Sequence, residues 1–293
     1  MNRRRQAIDK PDRQNVLVRS ARPPDLTLRY GDDSSQVADV HLPLPEDARR
    51  SGIGGRASFV LFLHGGFWRA QYGREHTAPL AEALARAGFA VCAPEYRRSG
   101  QRGGGWPGTF DDVAAAVDRL PGLVKAAAGG LIEPERMVIA GHSAGGHLAL
   151  WAASRHRLPT GSPWRLAEPM PARGVVALAA VCDLVACYEL RLGQRAAEAL
   201  MGGGPQRLPD RYSAADPAGL APIGMPVRLV HGTADDRVPH EMSVGYAARA
   251  RAAGDLGTEC TLLPGAGHFD VIDPLADAWG TVEHAFRSAC PPG

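Results

Sequence analysis

The sequence predicts an α/β protein with a mostly parallel central sheet and helices on both faces of that sheet. Strand-like and helix-like patterns alternate along most of the 293 residues, and this alternation is typical of sheets built from β-α-β units. Residues 59–63 are apolar at every position, as expected of a central strand that is buried on both faces. A glycine-rich turn at residues 141–145 also joins a strand-like run directly to a helix-like run.

The individual elements follow in order from the residue pattern. Residues 26–30 and 37–42 alternate apolar and polar side chains, which predicts two half-buried strands at an antiparallel edge. Runs rich in apolar residues predict further strands at 59–63, 89–93, 137–140, 175–181, 227–230 and 259–263. Helical patterns predict helices at 75–87 (ended by Gly88), 111–120 (with Thr109 or a neighbour as its cap), 147–153, 240–253 and 273–289.

We expect a single domain over residues 25–293, preceded by a polar and poorly ordered tail over residues 1–24. Residues 183–226 interrupt the alternation of strands and helices. They contain a Met-Gly-Gly-Gly-Pro run at 201–205 and a helix-like stretch at 194–200. This segment is interpreted either as a cap-like insertion over the strand ends or as a surface loop without a role in substrate binding.

The composition limits the class of protein. Hydrophobic residues make up 45% of the chain, charged residues 22%, and the formal net charge is +2, so no strong field favours nucleic acid or a membrane surface. No apolar run approaches membrane-spanning length, and the basic N-terminus lacks the apolar region of a signal peptide. The five cysteines include no C-x-x-C pair, which favours reduced thiols and a cytoplasmic protein.

The Gly-His-Ser-Ala-Gly turn at residues 141–145 has the G-x-S-x-G spacing of a nucleophile elbow. A sharp strand-to-helix turn exposes its central residue, Ser143, above the sheet, and the flanking glycines allow the backbones to approach closely. Because glycine is abundant in this chain, the motif depends on its context. The predicted strand before it and the predicted helix after it favour a catalytic serine over a chance turn.

A serine nucleophile needs a base and an acid that orients the base, and both have candidates after predicted strands. Asp235 lies beyond the strand at 227–230 in an H-G-x-x-D-x-x-V-P pattern, and Asp236 is its local competitor. His268 follows the strand at 259–263 in a glycine-rich loop. The chain order of serine, acid and histidine is that of doubly wound hydrolases.

The transition state of acyl transfer also needs hydrogen-bond donors for the carbonyl oxygen. The loop that follows the strand at 59–63 contains Gly65, Gly66 and Phe67, whose backbone N–H groups are candidate donors, and Ala144 after the nucleophile supplies another. The oxyanion hole is therefore predicted at these four residues.

Aromatic and histidine side chains near these motifs are candidates for substrate binding, namely Trp68, Trp106, His142 and Phe269. Trp106 lies in a run at 103–108 that matches G-x-G-x-x-G, but no strand precedes this run, so we do not expect a dinucleotide site. His147 is interpreted as structural or pocket-lining. Zinc-like spacing of cysteine or histidine is absent from the sequence, and we expect neither a metal nor a cofactor.

These motifs resemble the α/β-hydrolase superfamily over about residues 25–290. Within it, the chain is most similar to kynurenine formamidase (arylformamidase) and to esterases of the hormone-sensitive-lipase type. The H-G-G-F-W run at 64–68 resembles the formamidase form H-G-G-x-W. Residues 95–97, 141–148 and 268–271 look like the same group. The resemblance implies an α/β-hydrolase fold with a short cap-like insertion.

The predicted function is that of a serine hydrolase, which cleaves an ester or amide bond through an acyl-enzyme. Aryl formamide hydrolysis, with N-formylkynurenine as substrate, is the first hypothesis, and a carboxylesterase for short acyl esters is the alternative. A non-catalytic binding protein on the same fold is a third hypothesis, disfavoured by the order of Ser143, Asp235 and His268. We expect a small-molecule ester or amide as partner, no nucleic acid and no membrane, and leave a homodimer open.

Overall fold

A computed structural model describes residues 15–51 and 56–290. The strands are β1 (Leu26–Arg29), β2 (Val37–His41), β3 (Ala57–Leu63), β4 (Ala90–Pro94), β5 (Ile132–His142), β6 (Ala172–Leu178), β7 (Val227–Gly232) and β8 (Thr258–Leu263). The helices are α1 (Pro45–Ser51), α2 (Ala78–Arg86), α3 (Gly108–Ala127), α4 (Ala144–Ala153), α5 (Leu184–Glu189), α6 (Leu192–Met201), α7 (Pro209–Ser213), α8 (Pro217–Leu220), α9 (Glu241–Ala252) and α10 (Trp279–Ala289).

The strands form one eight-stranded sheet in the order β1-β2-β4-β3-β5-β6-β7-β8. β2 pairs antiparallel with both β1 and β4, and every pairing from β4 to β8 is parallel. The prediction of a mostly parallel sheet with an antiparallel edge is confirmed. In this register Leu63 pairs with Gly141, and Gly232 pairs with Leu263. The loops that follow β3, β5, β7 and β8 therefore leave the sheet at the same edge.

Two apolar layers cover the sheet, and β3 shows how one strand supplies both. Phe59, Leu61 and Leu63 point into a core that also contains buried residues of α3, α4 and α9. Val60 and Phe62 point into the opposite core, which contains buried residues of α2 and α10. Successive side chains of a strand alternate between the faces of its sheet, so a continuous apolar run is what a strand between two helical layers requires.

Residues 183–226 lie between β6 and β7 and contain the four short helices α5 to α8. Hydrogen bonds from several parts of the sheet domain hold this segment. His147 and Trp151 of α4 donate hydrogen bonds to the carbonyl oxygens of Ala215 and Ala214, each over 2.9 Å. Arg69, which follows β3, donates to the carbonyl oxygen of Gly193 over 2.6 Å. The insertion is thus attached both to the helix behind the elbow and to the loop after β3.

The N-terminal part differs from the prediction of a tail over residues 1–24. Residues 1–14 lie outside the described residues, but residues 15–24 are described and begin with a 3-10 helix, Asn15–Val18. Val16 is only 1% exposed and belongs to the core that contains Val271 and Ile272. Long-range packing, which a local sequence pattern does not reveal, orders these residues.

Several element boundaries also differ, each for a local reason. The helix predicted at 273–289 is an α-helix only over Trp279–Ala289. Pro274 disfavours helical backbone at Asp273, which is extended, and residues 274–278 form turns and a bend. The helix predicted at 111–120 extends over Gly108–Ala127 and contains Pro121. Leu120 and Val124 are both fully buried there, and this packing offsets the hydrogen bond that proline removes. Gly88 has a φ of 102° and ends the segment after α2 as predicted.

Candidate active site

Ser143 lies in a strained turn between β5 and α4, with φ 57° and ψ −119°. A side-chain-bearing residue with positive φ is unfavourable and persists only where its surroundings fix it. Its backbone N–H donates to the carbonyl oxygen of Leu178 over 2.8 Å. A Cβ atom at Gly141 would lie 2.2 Å from the carbonyl oxygen of Gly145, and a Cβ at Gly145 would lie 2.0 Å from that of Leu63. Only glycine fits at both positions, so the sequence motif and the backbone geometry agree.

His268 and Asp235 lie on the loops after β8 and β7 and contact each other. The Nδ1 atom of His268 is 2.7 Å from Oδ2 of Asp235. The Oδ1 atom of Asp235 accepts hydrogen bonds from the backbone N–H groups of Arg237 and Val238, over 2.8 and 2.9 Å. Asp236, the competing candidate, has a side chain that is 78% exposed and pairs with Arg237. The structure therefore brings Asp235, and not Asp236, to the histidine.

A second histidine, His231, forms a hydrogen bond to the same carboxylate. Its Nε2 atom lies 3.1 Å from Oδ2 of Asp235 and 3.0 Å from the carbonyl oxygen of Val238. Because that carbonyl only accepts, Nε2 carries the proton, and Nδ1 accepts from the Ser243 hydroxyl 2.8 Å away. Burial alone would raise the pKa of Asp235, but the hydrogen bonds from His231 and His268 outweigh it and hold that pKa far below its usual range.

Sequence reasoning missed His231. The signal was present as a histidine four residues before the acid, but a pattern does not show that the buried ring turns toward the carboxylate.

The loop after β3 turns through three consecutive residues of positive φ, with values of 111°, 51° and 55° at Gly66, Phe67 and Trp68. Over the residues described, the N–H groups of Gly66, Phe67 and Ala144 donate to no backbone or side-chain acceptor. They are thus available to a ligand oxygen. Gly65 lies behind them, where an added Cβ would approach Nδ1 of His142 to 3.0 Å.

A buried ionic network supports this loop. Nε2 of His64 is 2.8 Å from Oε1 of Glu95, and Nδ1 is 2.8 Å from the carbonyl oxygen of Gly65. Both ring nitrogens face oxygen atoms that only accept hydrogen bonds. Burial would raise the pKa of Glu95, but His64 and Arg98 outweigh it and lower that pKa. The backbone N–H of Arg74 donates to the other Glu95 oxygen over 3.1 Å, so one carboxylate fixes both ends of the loop.

A pocket of about 260 Å³ opens at this edge of the sheet. Its lining includes Ser143, His268, His142, Gly66, Phe67 and Phe269. His142 donates from Nε2 to the carbonyl oxygen of His268 over 2.9 Å, and burial lowers its pKa well below the usual range. His142 is therefore a neutral ring that holds the loop after β8 through the His268 carbonyl oxygen. Burial also lowers the pKa of His76, another lining residue, to about 4.

Two predicted substrate-binding residues lie elsewhere, which corrects the prediction for both. Trp68 is fully buried and packs against His147, with ring centroids 5.1 Å apart. Trp106 packs against Phe110 and Trp164, at 5.2 and 4.9 Å. The positive φ angles after β3 turn the Trp68 ring into the core. Phe67, its neighbour, lines the pocket instead.

Residues 15–51 and 56–290 hold no cluster of histidine, cysteine or acidic side chains suited to a metal ion. Within the same ranges, no helix combines the length and the apolar character needed to cross a membrane.

The sheet order, the strained serine between β5 and α4, and the histidine–carboxylate pair beyond β8 and β7 define an α/β-hydrolase fold. Solved structures with this architecture support the class. A truncated carbohydrate esterase from gut microbiota superimposes with a TM-score of 0.72 at 22% identity, covering 92% of this chain and 99% of that chain. Esterase B from Lactobacillus rhamnosis superimposes with a TM-score of 0.70 at 19% identity, covering 94% and 92%.

The chain belongs to the BD-FAE family, whose model matches residues 49–249. A curated relative, "Probable carboxylic ester hydrolase LipM" of Mycobacterium tuberculosis, is 26% identical over 228 residues, which cover 74% of this chain. The chain spans about half the length of that relative, with 51% covered.

Proposed function

We propose that the protein is a carboxylic ester hydrolase that works through an acyl-enzyme on Ser143. One observation carries the proposal. A serine at a strained elbow, a histidine held by a buried carboxylate, and backbone N–H groups without acceptors surround a single pocket. The BD-FAE family, and a relative described as a carboxylic ester hydrolase, support the same class.

In the proposed mechanism, Nε2 of His268, the ring nitrogen that Asp235 does not hold, takes the proton of the Ser143 hydroxyl as the serine oxygen attacks the ester carbonyl. The N–H groups of Gly66, Phe67 and Ala144 donate to the oxyanion that forms. Asp235 stabilises the imidazolium, which then gives its proton to the leaving alcohol. Water, activated by the same histidine, releases the acid and restores the serine.

The experiment is to label the protein with a fluorophosphonate probe and to measure turnover of p-nitrophenyl butyrate. We expect wild-type protein to react at Ser143 and to hydrolyse the ester. The Ser143→Ala variant, with the same thermal unfolding curve, should do neither. Folded wild-type protein that neither labels nor turns over any ester of a short-acyl panel would favour the non-catalytic binding protein and refute the proposal.

Hydrolysis of an aryl formamide such as N-formylkynurenine is the second candidate. It is favoured by the H-G-G-F-W run at residues 64–68 and by the two phenylalanines, Phe67 and Phe269, in the pocket lining. The burial of Trp68 and the position of Trp106 remove two of the aromatic side chains that this hypothesis invoked. Adding N-formylkynurenine to the substrate panel, with Ser143→Ala as the blank, decides between the two substrates.

A further inference from the structure

The N-terminal segment, residues 15–22, completes the wall of the catalytic pocket. Its three consecutive apolar residues lie in three different environments. Val16 is 1% exposed in the core, Val18 is 82% exposed to solvent, and Leu17 between them is half-buried and lines the pocket that contains Ser143. Leu17 packs against the same apolar cluster as Phe269, which follows the base. These two side chains form an apolar wall beside the nucleophile.

Two polar contacts hold this segment in place. The Arg19 guanidinium forms a two-pronged ion pair with the Asp273 carboxylate, which follows the base loop, and its Nη2 atom donates over 2.9 Å. Burial would raise the pKa of Asp273, but the Arg19 hydrogen bonds outweigh it and lower that pKa. On the other side, the backbone N–H of Arg22 donates to Glu82 of α2 over 3.0 Å. The segment is therefore fixed on one side to Asp273, which follows the loop of His268, and on the other side to helix α2.

We propose that Leu17 determines substrate specificity by limiting the size of the apolar group that the pocket accepts, so that esters of compact acyl groups react best. The inference rests on the proposed function. It follows from the position of Leu17. This residue is far from Ser143 and His268 in sequence, but the contacts of Val16 and Arg19 hold it in the lining of the same pocket. The chemical class of substrate is an ester whose short aliphatic chain or single ring fits between Leu17 and Phe269.

The experiment measures kcat/KM for p-nitrophenyl acetate and p-nitrophenyl hexanoate and compares their ratio among variants. This ratio does not depend on the fraction of folded enzyme. Leu17→Ala should make room for about two more methylenes, each of which changes binding about fourfold, and should therefore raise the hexanoate-to-acetate ratio about 16-fold. Leu17→Phe, which narrows the pocket, should lower it by a similar factor. Arg19→Ala, which loosens the segment without removing a lining atom, should shift the ratio in the same direction as Leu17→Ala.

Val18→Ala is the matched control, because Val18 neighbours Leu17 but faces solvent. It should leave the ratio within twofold of wild type. If both Leu17 variants also stay within twofold while wild type hydrolyses the esters, the inference is wrong and the proposed function stands. If wild type neither hydrolyses any ester nor reacts with the fluorophosphonate, the proposed function fails and the inference fails with it.

Discussion

Replacing His231 by leucine removes one of the two imidazole hydrogen bonds to Oδ2 of Asp235 and changes no residue of the pocket lining. A hydrogen bond to a charged group contributes about 1.5–3 kcal/mol. Because the N–H groups of Arg237 and Val238 still hold Oδ1, we expect a loss near 2 kcal/mol. If that loss falls on the transition state, in which Asp235 faces an imidazolium, kcat decreases about 30-fold.

The assay is steady-state hydrolysis of p-nitrophenyl butyrate, with active sites counted by fluorophosphonate labelling. KM should stay within twofold of wild type, since His231 is fully buried and does not line the pocket. His231→Gln is the matched control, because its amide N–H can donate in place of Nε2, and it should recover most of the lost kcat. A His231→Leu variant with kcat within twofold of wild type would refute the positioning role.

The same variant should unfold more readily in acid. The hydrogen bond from His231 is one of the contacts that hold the pKa of Asp235 below its usual value against the effect of burial. A depressed carboxyl pKa contributes stability that is present above the unfolded pKa of about 3.9 and is lost as pH falls through the folded pKa. With the depression reduced, this contribution is smaller. The midpoint of acid unfolding, followed by circular dichroism, should move to higher pH.

Three further variants test the supports of the site. Gly145→Ala places a Cβ 2.0 Å from the carbonyl oxygen of Leu63. Urea unfolding should show a loss of about 3 kcal/mol in stability. Gly122→Ala is the control, because an added Cβ there meets nothing within 4 Å, and it should be neutral or slightly stabilising. Glu95→Ala leaves the buried His64 and Arg98 without their carboxylate and should cost about 3 kcal/mol or more, and an unchanged Tm would contradict the network. Arg69→Ala removes hydrogen bonds of 2.6 and 3.0 Å to two carbonyl oxygens of the insertion. We expect kcat/KM to fall about tenfold, with Tm nearly unchanged. Full activity would mean that the insertion does not support the loop after β3.

The sequence predicted those features that depend on local pattern. Continuous apolar runs located the central strands, because a strand between two helical layers is apolar on both faces. The G-x-S-x-G turn located Ser143 for a similar reason, since backbone contacts at Gly141 and Gly145 exclude any side chain. The positions of Asp235 and His268 followed from the rule that loops at the carboxyl ends of parallel strands meet.

The features that the sequence did not predict depend on side-chain direction or on contacts between distant residues. The ring of Trp68 points into the core, and the backbone there has positive φ. A tryptophan in the sequence does not predict this backbone conformation. Leu17 joins the pocket through its neighbour Val16 and through an ion pair that spans 254 residues, between Arg19 and Asp273. Neither periodicity nor motif spacing reports such a pairing.

The contact between Gly145 and the carbonyl of Leu63 has a consequence for motion within the site. Leu63 is the last residue of β3 and directly precedes the loop that contains Gly66 and Phe67, while Gly145 belongs to the first turn after Ser143. Backbone touches backbone here, with no side chain between them that could change rotamer. The end of β3 and the elbow therefore pack directly against each other, and a shift of one backbone requires a shift of the other. We expect this backbone contact to limit changes in the distance between Ser143 and the N–H groups of Gly66 and Phe67.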